Sequence, residues 1–189
     1  MSPLRRGTVR AAALLLLGAT LAQATTIARL GLDDLAAASN VVARVHCLGN
    51  ETRWEAGEIW TFTSFEVMET MKGAAPPLIT VRLLGGRVGH LTSTVDGVPR
   101  FRPGEEAILF LERTRAGDFS VLSWVQGTFR IHRDPQTDRE SVTQDSSAFA
   151  VFDPATRQFR PAGIRKMSLE AFQQRLAEAM EKSQNRKQP

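Results

Sequence analysis

Three histidines, His46, His90 and His132, and a single cysteine, Cys47, carry the imidazoles and the thiol of this 189-residue chain. The adjacent His46-Cys47 pair, with His90 as a third ligand, has the chemistry of a zinc or copper centre in a metal-dependent hydrolase. Neighbours in a strand point to opposite faces, so that pair would converge only across a bulge. Cys47 falls on an apolar face, where a buried thiol behaves as a small hydrophobe. No metal ligand set and no cofactor are assigned on this basis. Nucleophilic catalysis has less to work with. The sequence contains no Gly-x-Ser-x-Gly elbow, and His132-Arg133-Asp134 is a local polar cluster rather than a triad. Glu105-Glu106 follow Pro103-Gly104 and read as the opening of a strand, not as two carboxylates facing each other across a cleft. No catalytic residue is assigned, and the chain reads as non-enzymatic.

Two further groups suggest binding. Trp54 and Trp60, separated by "EAGEI", could offer an aromatic surface to a glycan or a peptide, although hairpin packing accounts for them more simply. Lys72 and Arg87 flank a proline- and glycine-rich stretch and, with His90, could touch a partner at a loop rim, although solvated charge accounts for Lys72 and Arg87 more simply. The same stretch contains Gly85, Gly86 and Gly89. A phosphate-cradling loop would lead its glycines into a helix, with a Lys-Ser or Lys-Thr pair in a P-loop. Here "GGRVGHLTSTVDGVP" has no helical apolar period and soon meets Gly97 and Pro99. These glycines are therefore read as strand-bending or turn positions.

The elements that must position these residues follow from periodicity. "LDDLAAAS" (32–39), with two acids in its first turn, predicts a short helix. "NVVARVHCL" alternates, with Val41, Ala43, Val45 and Cys47 on one face and Val42, Arg44, His46 and Leu48 on the other. "IWTFTSFEVMETM" (59–71) predicts a long strand, bent or bulged because its apolar positions switch face. Lys72-Gly73 and Pro76-Pro77 end it, and "LITVRLL" begins the next strand. Residues 107–111 form another, "FSVLSWVQGTFRIHR" supplies one or two interrupted at Gly127, and "SSAFAVFD" adds a short one. In "SLEAFQQRLAEAMEK", Ser168 can cap a helix whose Leu169, Phe172, Leu176 and Met180 form one stripe. Six to eight strands between two helices predict a mainly β, OB-like closed or partly open barrel over 25–164, plugged by the helices, with the C-terminal helix over 165–182 and a disordered tail over 183–189.

Arg5, Arg6 and Arg10, the apolar run Ala11 to Ala22 and the small residues of Ala22-Gln23-Ala24 predict a cleaved signal peptide over 1–24. The run is too short for a bilayer span of about 20 residues, so no stable membrane insertion is expected after cleavage. The chain has 24 basic and 20 acidic residues, and the leader holds three arginines and no acid, leaving 21 against 20. A net charge of +1 on the remaining chain gives no basic groove for nucleic acid. Cys47 alone cannot form an intramolecular disulfide, so a packed core must supply stability.

The segments "FEVMETMKG", "LLGGRVGHL", "GVPRFRPGEEAILFL" and "WVQGTFRI", taken in order, resemble an uncharacterised family of exported bacterial proteins. The likeness spans about residues 30–132, and some members of that family neighbour matrixin-like metalloproteases. More distantly, it resembles the netrin-like, OB-type barrel of tissue inhibitors of metalloproteinases. Those inhibitors bind the target zinc through an N-terminal cysteine. A chain starting at Thr25 with one internal cysteine departs from that pattern, so the resemblance implies fold and compartment rather than inhibition. The combined expectation is a periplasmic or secreted binding module for another envelope or secreted protein, with a metalloprotease as one such partner. The alternatives are a glycan-binding OB-type barrel and a metal-dependent hydrolase.

Overall fold

The structure, a computed structural model, describes residues 29–153, 156–161 and 163–185. The predicted leader over 1–24 and positions 186–189 of the predicted tail lie outside the described residues. Among the described residues the chain is mainly β with two α-helices. Helix α1 spans Leu32–Ala38 and α2 spans Leu169–Asn185. The strands of the main sheet are β1 (Val41–Glu55), β2 (Glu58–Lys72), β3 (Leu78–Leu84), β6 (Glu106–Arg113), β7 (Phe119–Val121), β8 (Thr128–Arg133), β9 (Glu140–Gln144) and β12 (Met167–Ser168). Two small hairpins stand apart from it: β4 (Gly86–Val88) with β5 (Leu91–Ser93), and β10 (Ala150–Asp153) with β11 (Gln158–Pro161).

The sheet runs β1-β2-β3-β7-β6-β8-β9-β12, and β1 pairs in addition with β6, so the sheet curls back on itself. All pairings in it are antiparallel except β3 with β7, which meet in parallel at Val81 and Phe119. β1 and β2 are 15 residues each, far longer than an ordinary strand, and the pairing stays in step by bulging. Met68 and Met71 are skipped on β2 and Leu48 on β1. The predicted bend of β2 is thus present, and Met68 and Leu48 are left exposed.

The curl produces two apolar cores on opposite faces of the same strands. The inner face collects Val41, Ala43, Val45 and Cys47 of β1, Phe65, Val81, Leu83, and Ala107, Leu109 and Leu111 of β6. The outer face carries Val42, Ile108, Phe110, Phe129 and Val142, covered by Leu35 and Ala36 of α1 and by Phe172, Leu176 and Ala179 of α2. This explains why "AILFL" in β6 is buried at every position: its alternate residues serve two cores. The helices therefore do not plug the curled sheet, as the sequence reading expected. The connection between β5 and β6 fills it instead, through Val98 and Phe101, with Phe101 edge-on to Phe65 at 5.0 Å. Phe129 links β8 to the helix layer, 5.3 Å from Phe110 and 5.0 Å from Phe172.

Ser168 caps α2 by accepting from the Ala171 N–H at 3.3 Å, and the Leu169, Phe172, Leu176 and Met180 stripe packs on the outer core. The helix begins four residues later and runs three residues further than the 165–182 expected. Among the described residues no helix is long and apolar enough to cross a membrane.

Candidate binding cleft

A cleft of about 670 Å³ lies between the 100–106 connection, β8 and β9. Alternation along β8 separates its side chains. Arg130 and His132 point to one face of the sheet, and Phe129, Ile131 and Arg133 to the other. Two guanidinium clusters then build the walls.

Arg130 is one anchor. Its Nε donates to Asp145 Oδ1 at 3.0 Å, Nη1 to Glu105 Oε2 at 2.7 Å and Nη2 to the Arg100 carbonyl at 2.7 Å. Its guanidinium also lies over the Phe101 ring, 4.2 Å from the centroid. One side chain thereby ties the 100–106 connection to β8 and to the turn after β9, using the planar fork that lysine lacks. The second anchor is Arg44, whose Nη2 donates to Glu106 Oε2 at 2.6 Å and to Glu140 Oε1 at 2.8 Å. Glu140 also accepts from Arg133 Nη2 at 2.9 Å. Hydrogen bonding to Glu140 raises the Arg44 pKa further, and the same bonds hold the Glu140 carboxyl below the ordinary glutamate range. Arg44 and Glu140 are mostly shielded, each with 18% of its side chain exposed, so this network is preorganised rather than formed on demand.

Glu105 and Glu106 are thus held by different arginines and do not face one another as an acid–base pair. Arg102, His132 and the outer edge of Arg133 remain exposed along the cleft. The cleft offers preformed charges of both signs with open donors at its rim, an arrangement suited to holding polar groups in a fixed orientation.

The residues singled out from sequence are scattered. Trp54 pairs across the hairpin with Ile59, and Trp60 with Arg53, which puts the two tryptophans on opposite faces. Trp60 lies under Arg82, whose guanidinium carbon is 4.1 Å from its ring, while Arg53 covers Phe62 at 3.8 Å. Trp54 is half exposed and borders a 290 Å³ groove with Leu84, Leu91, Thr92 and Ser93. Lys72 is a structural residue: its Nζ donates at 2.5 Å to the carbonyls of Ala36 and Ser39 at the end of α1, where positive charge complements the helix dipole. Arg87 and His90 share the exposed β4–β5 hairpin, with Arg87 Nε donating to the Gly89 carbonyl at 3.1 Å. Arg87 and His90 share one hairpin, and none of the five lines the 670 Å³ cleft.

His46 pairs with Glu66 and Glu106 on the outer face, whereas His132 lies on the opposite face. Among the described residues no three His, Cys, Asp or Glu groups are placed to hold a metal ion. Burial pushes the Cys47 thiol up, which keeps it protonated and unreactive. The cleft-forming residues had one sequence signal, namely single arginines inside otherwise apolar strands, Arg44 in "VVARVHC" and Arg130 in "GTFRIHR".

Comparison with protein-family models, curated proteins and solved structures found no match to this chain.

Proposed function

We propose that this chain is an exported, non-enzymatic binding module that holds a protein of the bacterial envelope or the extracellular space in the cleft beside β8, with metalloproteases among the partners to be tested. The observation that carries this reading is the preorganised double guanidinium network. Arg44 and Arg130 are saturated by Glu105, Glu106, Glu140 and Asp145, and they frame an open, charged cleft whose rim donors, Arg102 and Arg133, lie in solvent. Mixed, fixed charge gives orientation and partner choice in protein recognition, and arginine is enriched where such contacts count most. The pairing of β1 with both β2 and β6, with β3 parallel to β7, supports the finer reading of an OB-type, netrin-like closed barrel. The basic and apolar start of the chain supports export.

The test is capture from the native host with a C-terminal tag and mild cross-linking, followed by mass spectrometry. A reproducible envelope or secreted partner is expected, with recovery reduced about tenfold or more in the double variant Arg102→Glu, Arg133→Glu. An empty capture, or one indifferent to both substitutions, rejects the cleft as the binding surface.

A second reading rests on Trp54. Its half-exposed ring beside Thr92, Ser93 and Glu58 has the apolar face and polar rim that bind a sugar ring. A glycan-array signal abolished by Trp54→Ala and unaffected by Arg102→Glu would place glycan recognition there instead of protein recognition in the cleft.

A further inference from the structure

The β10–β11 hairpin is a two-stranded ribbon outside the main sheet. Such ribbons are marginal alone, and a free one is expected to be polar on its open face. This one is not. The register Ala150↔Pro161 and Phe152↔Phe159 puts four apolar residues on one face, and the rings of Phe152 and Phe159 stand 5.3 Å apart. Phe159 is 61% exposed, and Phe149, just before the ribbon, is 44% exposed.

The charges around this face are predominantly basic. Residues 146–168 hold four basic groups, Arg157, Arg160, Arg165 and Lys166, against one acid, Asp153. Asp153 is itself 3.8 Å from the Arg29 guanidinium. In the main sheet Arg44 and Arg130 are each met by two carboxylates, whereas this apolar aromatic face is edged mainly by basic groups. The backbone ahead of α1 is fastened to the same place, since the Arg29 N–H donates to the Phe152 carbonyl at 3.0 Å.

From this we infer that the β10–β11 hairpin is a membrane-surface contact, with Phe149 and Phe159 entering the headgroup region of an anionic bilayer while Arg157, Arg160 and Arg165 meet its phosphates. Exposed aromatics at the interface with flanking arginines are the physical pattern of peripheral attachment. The contact lies on the surface and does not span the bilayer. It is independent of the cleft and of its partner.

The test uses the protein from Thr25 onward, which contains every described element, and extruded vesicles of phosphatidylcholine with 30% phosphatidylglycerol. Co-sedimentation with these vesicles is expected, weakening on replacement by pure phosphatidylcholine and on raising salt. Phe159→Ser with Phe149→Ser should lower the partition at least tenfold, and each of Arg157→Glu and Arg160→Glu by about fivefold. A Phe159→Trp variant keeps the face intact and should be quenched by lipids brominated on their chains, beyond any quenching of Trp54, Trp60 and Trp124 in the parent. The inference is overturned by absence of vesicle binding in the parent, by binding that the serine variants leave unchanged, or by a Phe159→Trp reporter that brominated lipid does not quench. A dimer in sedimentation equilibrium that Phe159→Ser dissociates, without lipid binding, would assign the face to a second copy and overturn it equally.

Discussion

At the scale of single residues, the cleft is a titratable structure. The Arg44 and Arg133 hydrogen bonds hold the Glu140 carboxyl below the usual glutamate range. A depressed folded-state pKa stabilises the protein fully above the unfolded value, near 4.3, and that stabilisation drains away as pH falls through the folded value. The thermal midpoint should therefore drop between about pH 5 and pH 3. Glu140→Gln should cost about 1 to 3 kcal/mol at neutral pH and flatten part of that acid slope. Melting curves of both proteins across this range decide it, because an unchanged acid slope in the variant would remove Glu140 from the account. The glycine pair after β3 shows the same economy of residues. A Cβ on Gly85, at φ +86°, would come within 2.6 Å of the Arg100 guanidinium, and one on Gly86 within 2.5 Å of Thr52 and Thr61. Thr61 Oγ1 donates to the Gly85 carbonyl at 2.7 Å, and Arg100 Nη1 donates to it at 3.1 Å. Reading these glycines as bending positions anticipated the backbone geometry, but not that a distant arginine would pack against them.

At the scale of elements, the β1–β2 hairpin carries an avoidable strain. Its tip turns through Ala56 at φ 53° and Gly57 at φ 86°, two left-handed residues that suit the twist of a hairpin. An alanine there is disfavoured by about 1 kcal/mol, whereas asparagine tolerates the conformation. Ala56→Asn is expected to raise stability by about that amount without moving Trp54 or Glu58, which denaturant midpoints and Trp54 fluorescence would check. β2, β3 and β6 were legible because their branched and aromatic residues are bounded by Lys-Gly, Pro-Pro and Pro-Gly turns. β9, β11 and β12 were missed. "ESVTQ" and "QFRP" are short and polar, and they become strands only because β8 and β10 present ladders to pair with.

At the scale of the whole molecule, one sheet serves two cores, and the second depends on α2. Phe172, fully buried against Phe129, is the center of that contact. Phe172→Ala should destabilise by about 3 to 5 kcal/mol, and a chain stopped before Leu169 should bind a hydrophobic dye and aggregate, since Ile108, Phe110 and Val142 would face water. A stop that leaves melting and dye binding unaltered would show that the helix is dispensable to the outer core. The sequence by itself determined the strand-rich class, both helices, the turns and the face that Cys47 occupies, because period, turn residues and caps act within a few positions of the chain. Tertiary structure alone decided that the helices cover the outside while Val98 and Phe101 fill the inside, that Lys72 caps a helix, and that Trp54 and Trp60 part to opposite faces. It also brought Arg44 to Glu140 and Arg130 to Glu105 across separations of 96 and 25 residues. Such pairings depend on strand order and curl, which are properties of the whole sheet and of no segment read alone.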